Sequence, residues 1–208
     1  AGQLEELVET RVLDQKNLRK SEMRTLQAQI APHFIYNTMD TIVWLAEENQ
    51  TQQIIDITMA LSQFFRISLS KGEDWIPVEM EVLHVKSYLH IQSYRYGNLM
   101  TYEIDVAETL LNCRMLKLLL QPLVENALYH GIKNQRRRGH ILVRGIDNGD
   151  GTMTFIVRDD GAGMSQEKLK QLRQSLKRGN PAPEIGYGTY NVNQRIVLYY
   201  DTEGLNIE

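Results

Sequence analysis

The chain has 208 residues, a net charge of −3, an apolar fraction of 42% and a charged fraction of 24%. This is ordinary globular composition for one large domain or two small ones, and it excludes a collagenous, low-complexity or disordered chain. Lys and Arg total 23 against 26 for Asp and Glu, a balance that argues against a dedicated nucleic-acid binder. The single cysteine, Cys113, rules out an intrachain disulfide and fits a reducing compartment. No apolar run approaches the roughly 18 residues of a membrane span, and AGQLEELVET lacks the basic-then-apolar layout of a signal peptide. The chain is expected to be soluble, and to be a piece of something larger.

Residues 1 to about 70 contain one glycine, Gly2, and one proline, Pro32, among abundant Leu, Glu, Gln, Lys and Met. That composition predicts helix. Met23, Leu26, Ile30 and Phe34 make an apolar stripe at steps of three and four; upstream, Leu4, Leu7, Val8, Val12 and Leu18 make a poorer one. A first helix from near residue 5 to the late forties would be roughly 60 Å long and would need other helices or a second chain to cover it. A polar break at Glu47–Thr51 reads as a turn. Ile54, Ile57, Leu61, Phe64 or Phe65, and Leu69 then trace a second amphipathic helix that Lys71-Gly72 stops. Two such hairpins from two chains would close a four-helix bundle.

After Gly72 the pattern changes. Ile76–Val78 reads as extended, Glu79–Tyr96 as helix, Gly97-Asn98 as a turn, Thr101–Val106 as strand and Met115–His130 as helix with Gly131 as its stop. Ile141–Ile146 and Met153–Val157 read as a hairpin joined by Asn148-Gly149-Asp150-Gly151. Helix is expected over 165–177 and from Val192 to Tyr200, a Gly- and Pro-rich loop over Arg178–Gly188, and the start of a strand at Leu205–Ile207. The mixture implies an α+β domain.

Four segments could carry chemistry. In QAQIAPHFIYNT, helical spacing puts Gln29, His33, Asn37 and Asp40 on one face. An unperturbed imidazole titrates near 6.5 and is mostly a neutral nucleophile at pH 7. Pro32 could kink the helix and open the ring to a partner; a solvated histidine beside a harmless bend explains the same residues. In QPLVENALYHG, Asn126 offers a carboxamide oxygen suited to a Mg²⁺ held chiefly by nucleotide phosphates, or simply bonds to a neighbouring backbone. VRDDGAGM sits between a strand and a helix, where glycines allow close approach of a ligand and a carboxylate can accept a proton from an exocyclic amine. GYGTYNV leads into a helix whose free N–H groups favour phosphate. From Asn126 to Ile146 there is no acidic residue, whereas Lys133, Arg136, Arg137, Arg138 and Arg144 are basic. That run could flank a polyphosphate or be a solvated loop. His84 and His90 lie on a predicted helix without a metal-ligand pattern, and Trp44 and Trp75 read as packing residues.

In this order the four segments resemble bacterial sensor histidine kinases of the LytS/YesM class. LQAQIAPHFIYNTMD looks like the phosphoacceptor box, LLLQPLVENALYHG like the asparagine box, and VRDDGAGM and GYGTYNVNQRI like the two glycine boxes; YLHIQSYRYGN is similar to the same class. The resemblance spans about residues 20–207. It implies a helical hairpin forming a dimeric four-helix bundle over 1–72, and over 73–208 an α/β sandwich of the kind shared with DNA gyrase and a heat-shock chaperone. It implies ATP and Mg²⁺, with His33 phosphorylated, Asn126 binding Mg²⁺ and phosphate, Asp159 reading adenine, and Gly161, Gly163, Gly186 and Gly188 forming the pocket and the hinges of a lid over Met164–Tyr187. Lys133 would touch phosphate, and Asn37 would position a water for dephosphorylation.

It further implies a homodimer through the N-terminal helices and a response-regulator partner. The membrane sensor region would be absent from this chain, which would be a cytoplasmic fragment of a bacterial protein anchored in the inner or plasma membrane. Three departures stand out. Phe34 follows His33 where many histidine kinases have an acidic residue, so Gln29, Asn37 and Asp40 are the local candidates for a base. Pro122 stands where water-using ATPases of this fold carry glutamate, four positions before the asparagine. The chain stops at Glu208, where the family usually adds a strand with a Gly-Thr motif, so the sheet is expected to lack an edge. Two other functions fit the same residues: a nucleotide-regulated, kinase-like scaffold without phosphotransfer, and a plain ATPase.

Overall fold

The structure is a computed structural model that describes residues 32–69, 74–133, 137–178, 187–200, 202 and 204–207. The expected helix upstream of Pro32 with its stripe, Gln29, the stop at Lys71-Gly72, Arg136 and Gly186 lie outside the described residues. The chain divides into two compact units between Thr51 and Gln52.

In the first unit, α1 is described over Pro32–Glu47. Phe34, Thr38, Thr41 and Leu45 are buried at steps of four, three and four. The Thr38 and Thr41 hydroxyls donate to the carbonyls of Phe34 and Asn37 one turn back, at 2.7 and 2.8 Å, so neither is left unsatisfied. The helix stops at the expected polar break, where Asn49 takes φ 56° and Gln50 N–H donates to Leu45 O.

The second unit takes in α2 (Thr51–Ser68) from Gln52 on, and this helix buries Ile57, Leu61, Phe64 and Ile67. Phe64 is in the core, Phe65 half-buried, and Leu69, expected on the stripe, is exposed. Strand β1 (Trp75–Pro77) leads into α3 (Val78–Tyr96), ended by Gly97 at φ 53°. This helix buries Val85, Tyr88, Leu89 and Ile91, and also Glu81, His84, Ser87 and Gln92. It has weak amphipathic contrast because several of its polar groups face inward to partners. After a 3₁₀ turn at Gly97–Leu99 come β2 (Met100–Val106), a second 3₁₀ turn at Glu108–Leu110 and β3 (Arg114–Leu116). Strand β3 pairs antiparallel with β1, Ile76 opposite Met115.

The helix expected over Met115–His130 is corrected at both ends. Met115 and Leu116 are in β3, and Leu118 takes φ 59°, which no helix residue can. Helix α4 occupies only Leu120–Asn126, and Ala127–Ile132 continues as a π-helical segment through Gly131. Such wide turns concentrate at functional sites.

Strands β4 (Gly139–Asp147) and β5 (Met153–Asp159) form the expected hairpin. Asp147 Oδ1 accepts from Gly149 N–H and Asp150 Oδ1 from Thr152 N–H, fixing its turn. The sheet order is β2-β4-β5, with β2 parallel to β4 and β5 antiparallel to it. Ile141, Val143 and Gly145 are buried on one face of β4, opposite Asp159, Val157 and Phe155. The π segment packs on that sheet against β4 and β5, and α3 against β2. Helices α5 (Gln166–Arg178) and α6 (Tyr187–Tyr200) follow. The strand expected at Leu205–Ile207 does not form. Leu205 N–H donates to Asn193 Oδ1, and Ile207 O accepts from the Arg173 guanidinium, so side chains take the places of a neighbouring strand. The architecture is α+β, helices first and a mixed sheet after.

Candidate nucleotide site

Three of the four chemical segments converge in the second unit. The carboxylate of Asp159, at the end of β5, accepts from Gly161 N–H at 2.9 Å, an Asx-type turn that holds its orientation. The strand register puts Asp159 on the covered face of the sheet, opposite Ile141. Gly131 lies directly against it: a β-carbon on Gly131 would come within 2.3 Å of Asp159 Oδ1. A β-carbon on Gly161 would meet Gly131 Cα at the same 2.3 Å, and Ala162 N–H donates to Gly131 O at 3.0 Å. Two glycine backbones in mutual contact thus keep the carboxylate uncovered by side chains. Gly163 has φ 64° and open space around it, the left-handed conformation glycine allows.

The other end of the site is built by α4 and α6. Asn126 ends α4, half-buried, and its Nδ2 donates to Thr189 Oγ1 at 2.7 Å. That bond fixes the amide with its nitrogen committed, leaving the oxygen as the group able to meet a hard cation or a donor. Gly188 lies close to both: its β-carbon would sit 3.6 Å from Pro122 Cβ and 3.9 Å from Asn126 Nδ2. Glu125 is bonded to Gln121 Nε2 at 3.0 Å, and burial holds its carboxyl above the ordinary range. No group of three or more His, Cys, Asp or Glu suited to a metal occurs among the described residues. The Asn126 amide oxygen is of the hard-donor type that a Mg²⁺ held chiefly by phosphate and water accepts.

Arg137 pairs with Asp160 at 3.5 Å and donates to its carbonyl, Arg144 bonds Asp105 on the parallel neighbour β2 at 2.9 Å, and Lys133 Nζ stands 5.2 Å over the Tyr129 ring. In the first unit His33 on α1 is exposed, Asn37 one turn on is half-buried and Asp40 is exposed. Sequence reasoning took Gly131 for a helix stop and passed over Thr189. The signals were a glycine closing the asparagine segment and a hydroxyl directly after Gly188.

Family models agree with this layout. A histidine kinase model matches residues 21–100, and a model of histidine kinase-, DNA gyrase B- and HSP90-like ATPases matches residues 113–204. Sensor histidine kinase YesM of Bacillus subtilis is 31% identical over 98% of this chain and 34% of its own length. Sensor protein LytS of Oceanobacillus iheyensis is 34% identical over 88% and 31%, and sensor histidine kinase YpdA of Escherichia coli 32% identical over 90% and 32%. The chain spans about a third of the length of these relatives. The chain belongs to the sensor histidine kinases of the LytS/YesM class and comprises their kinase and ATPase-type modules.

Proposed function

We propose that this chain binds Mg·ATP in its second unit and transfers the γ-phosphoryl group to His33. The observation that carries the reading is the convergence of Asp159, Gly131 and Gly161 at one end of a site and Asn126 and Thr189 at the other. The Asp159 carboxylate would accept from an adenine amino group, and the glycine pair lets the base approach the backbone. Asn126, held by Thr189, would present its amide oxygen to the cation. Mg²⁺, when bound, supplies neutralisation of phosphate charge. Gly186 and Gly188, the latter in the first turn of α6, would contact phosphate, with Lys133 as an added contact. A His33 ring nitrogen forms the new N–P bond, the bond from the γ-phosphorus to its bridging oxygen breaks, and ADP leaves. Transfer of this kind rests on positioning and electrostatics. Pro122, beside Gly188, offers no base to activate water, which favours a protein acceptor over hydrolysis.

On this reading residues 1–72 form the dimerising phosphoacceptor part and 73–208 the ATP-binding part. The dimer forms through the N-terminal helices, and phosphohistidine passes its group to an aspartate of a response regulator. Asn37, one turn past His33, would position water for dephosphorylation. No described helix is long and apolar enough to cross a membrane; membrane attachment would belong to the rest of a longer protein. Incubation with γ-labelled ATP tests the reading. Base-stable, acid-labile label lost in His33→Ala and in Asn126→Ala is expected. Phosphate release that survives His33→Ala without labelled protein would refute it.

A further inference from the structure

Helix α4 has no side-chain cap of its own; Leu119, before it, has helical φ and ψ. Its leading N–H groups are taken by a residue from elsewhere. Glu81 of α3, with no exposed surface, accepts from Leu118 N–H through Oε2 and from Leu120 N–H through Oε1, both at 2.8 Å. The carbonyls of the same loop are held from the opposite side. Arg195 of α6 donates to Leu118 O at 3.2 Å and to Lys117 O at 2.7 Å. A carboxylate thus holds the loop's donors and a guanidinium its acceptors. Between them Leu118 is kept at φ 59°, a conformation a leucine keeps only where its surroundings over-determine it. Burial raises the Glu81 carboxyl and lowers Arg195, and each partly offsets the other.

The geometry has a second half. Helix α6 carries Thr189 as well as Arg195, six positions apart, and α4 runs six positions from Leu120 to Asn126. The two helices are therefore braced at both ends: Asn126 to Thr189 at one, the Lys117–Leu118 carbonyls to Arg195 at the other. A shift at the start of a helix this short reaches its last residue undamped. The loop is also tied to α2, because Lys117 Nζ donates to Ser68 O at 3.0 Å. Ser68 Oγ in turn lies 2.7 Å from Nε2 of His84, whose ring is stacked on Phe64.

We propose that Glu81 and Arg195 are positioning residues for nucleotide binding, fixing the Lys117–Leu120 loop so that α4 presents the Asn126 amide to the phosphate-bound cation. This rests on the nucleotide reading above. Its mark is selectivity between the two ends of the site, because Asp159 is carried by β5 and not by α4.

The test measures Mg·ATP and adenosine binding to the full chain by titration, with circular dichroism to establish folding. Glu81→Gln keeps the shape but cannot accept from both N–H groups, and Arg195→Lys keeps the charge but cannot hold both carbonyls. In the folded variants Mg·ATP binding is expected to weaken roughly tenfold, as when a partner orienting a metal ligand is lost, with adenosine binding unchanged. Equal weakening of both ligands, or of neither, overturns the proposal. If Glu81→Gln does not fold, Arg195→Lys decides; if neither folds, the pair serves folding and the proposal is overturned. Wild-type protein that binds neither ligand would instead overturn the nucleotide reading on which it rests.

Discussion

Gly161→Ala probes the contact on which the proposed adenine end of the site depends. The added β-carbon would lie 2.3 Å from Gly131 Cα and 2.4 Å from Gly131 C, where ordinary contact begins at 3.4 Å. Those two atoms are backbone, so the two segments must part by about 1 Å, and the Asp159 carboxylate oxygen, 2.4 Å from the same β-carbon, must turn aside. That opening stretches the 3.0 Å bond from Ala162 N–H to Gly131 O beyond hydrogen-bonding range. Overpacking costs about 1–3 kcal/mol and the lost bond about 1 kcal/mol, for a destabilisation of roughly 2–4 kcal/mol. Gly149→Ala is the control: its β-carbon meets nothing within 4 Å, and its φ of 76° alone costs about 1–2 kcal/mol. Urea unfolding of both variants gives the stabilities, and ATP titration the binding. Gly161→Ala should be the less stable and should bind ATP poorly, whereas Gly149→Ala should bind normally. Equal destabilisation with ATP binding intact in both would refute the packing argument.

Three further changes have definite outcomes. Thr189→Val removes the hydroxyl that orients the Asn126 amide, and Mg·ATP affinity should fall about three- to tenfold; unchanged affinity in a calorimetric titration would show the amide needs no such partner. Asp159→Asn gives up a carboxylate acceptor, and ATP binding should weaken at least about tenfold, more for ATP than for inorganic triphosphate; an equal loss for both would remove Asp159 from adenine reading. His84 is held neutral, its pKa lowered by burial and then by Lys117 from 6.5 to about 3. Its contribution to stability is therefore full above about pH 6.5 and is lost as pH falls toward 3, at up to about 1.4 kcal/mol per pH unit. His84→Phe, which can still stack on Phe64, should flatten the fall in urea midpoint between pH 7 and pH 5 seen in the wild type; identical slopes would exclude His84 as the source.

The parts of this fold set by local pattern were legible before the structure. The Glu48–Gln50 turn, α3 closed by Gly97, and the β4–β5 hairpin with its Asn-Gly-Asp-Gly turn each depend on neighbours in sequence. What was hidden depends on distant partners. Strand β3 has only three residues and runs into the apolar Leu118-Leu119-Leu120, so it read as the start of a helix; its pairing with β1 and the left-handed Leu118 are imposed by contacts with Trp75–Pro77, Glu81 and Arg195. Leu205–Ile207 had the composition of a strand, but its backbone groups are met by Asn193 and Arg173. Glu81 looked like any helix-surface glutamate, since nothing local marks a carboxylate whose donors are some forty positions away. At the site, Asp159, Gly161 and Asn126 came from motif likeness, and Gly131 and Thr189 emerged only when the segments were brought together. Within the basic run, Arg137 pairs with Asp160 just past β5 and Arg144 with Asp105 on β2, partners that no local pattern marks.

The parallel pairing of β2 with β4 bears on how the domain is assembled. These strands can zip only after everything between Val106 and Gly139 has been threaded as a crossover, and that crossover contains β3, α4 and the π turn. Such non-local closure is slow and all-or-none in character. The helix that carries Asn126 and the central strand are thereby gained and lost in one cooperative event, so amides of Leu128 and Val143 should exchange with solvent at matching rates, and a nucleotide that grips the helix would slow the unravelling of the whole domain.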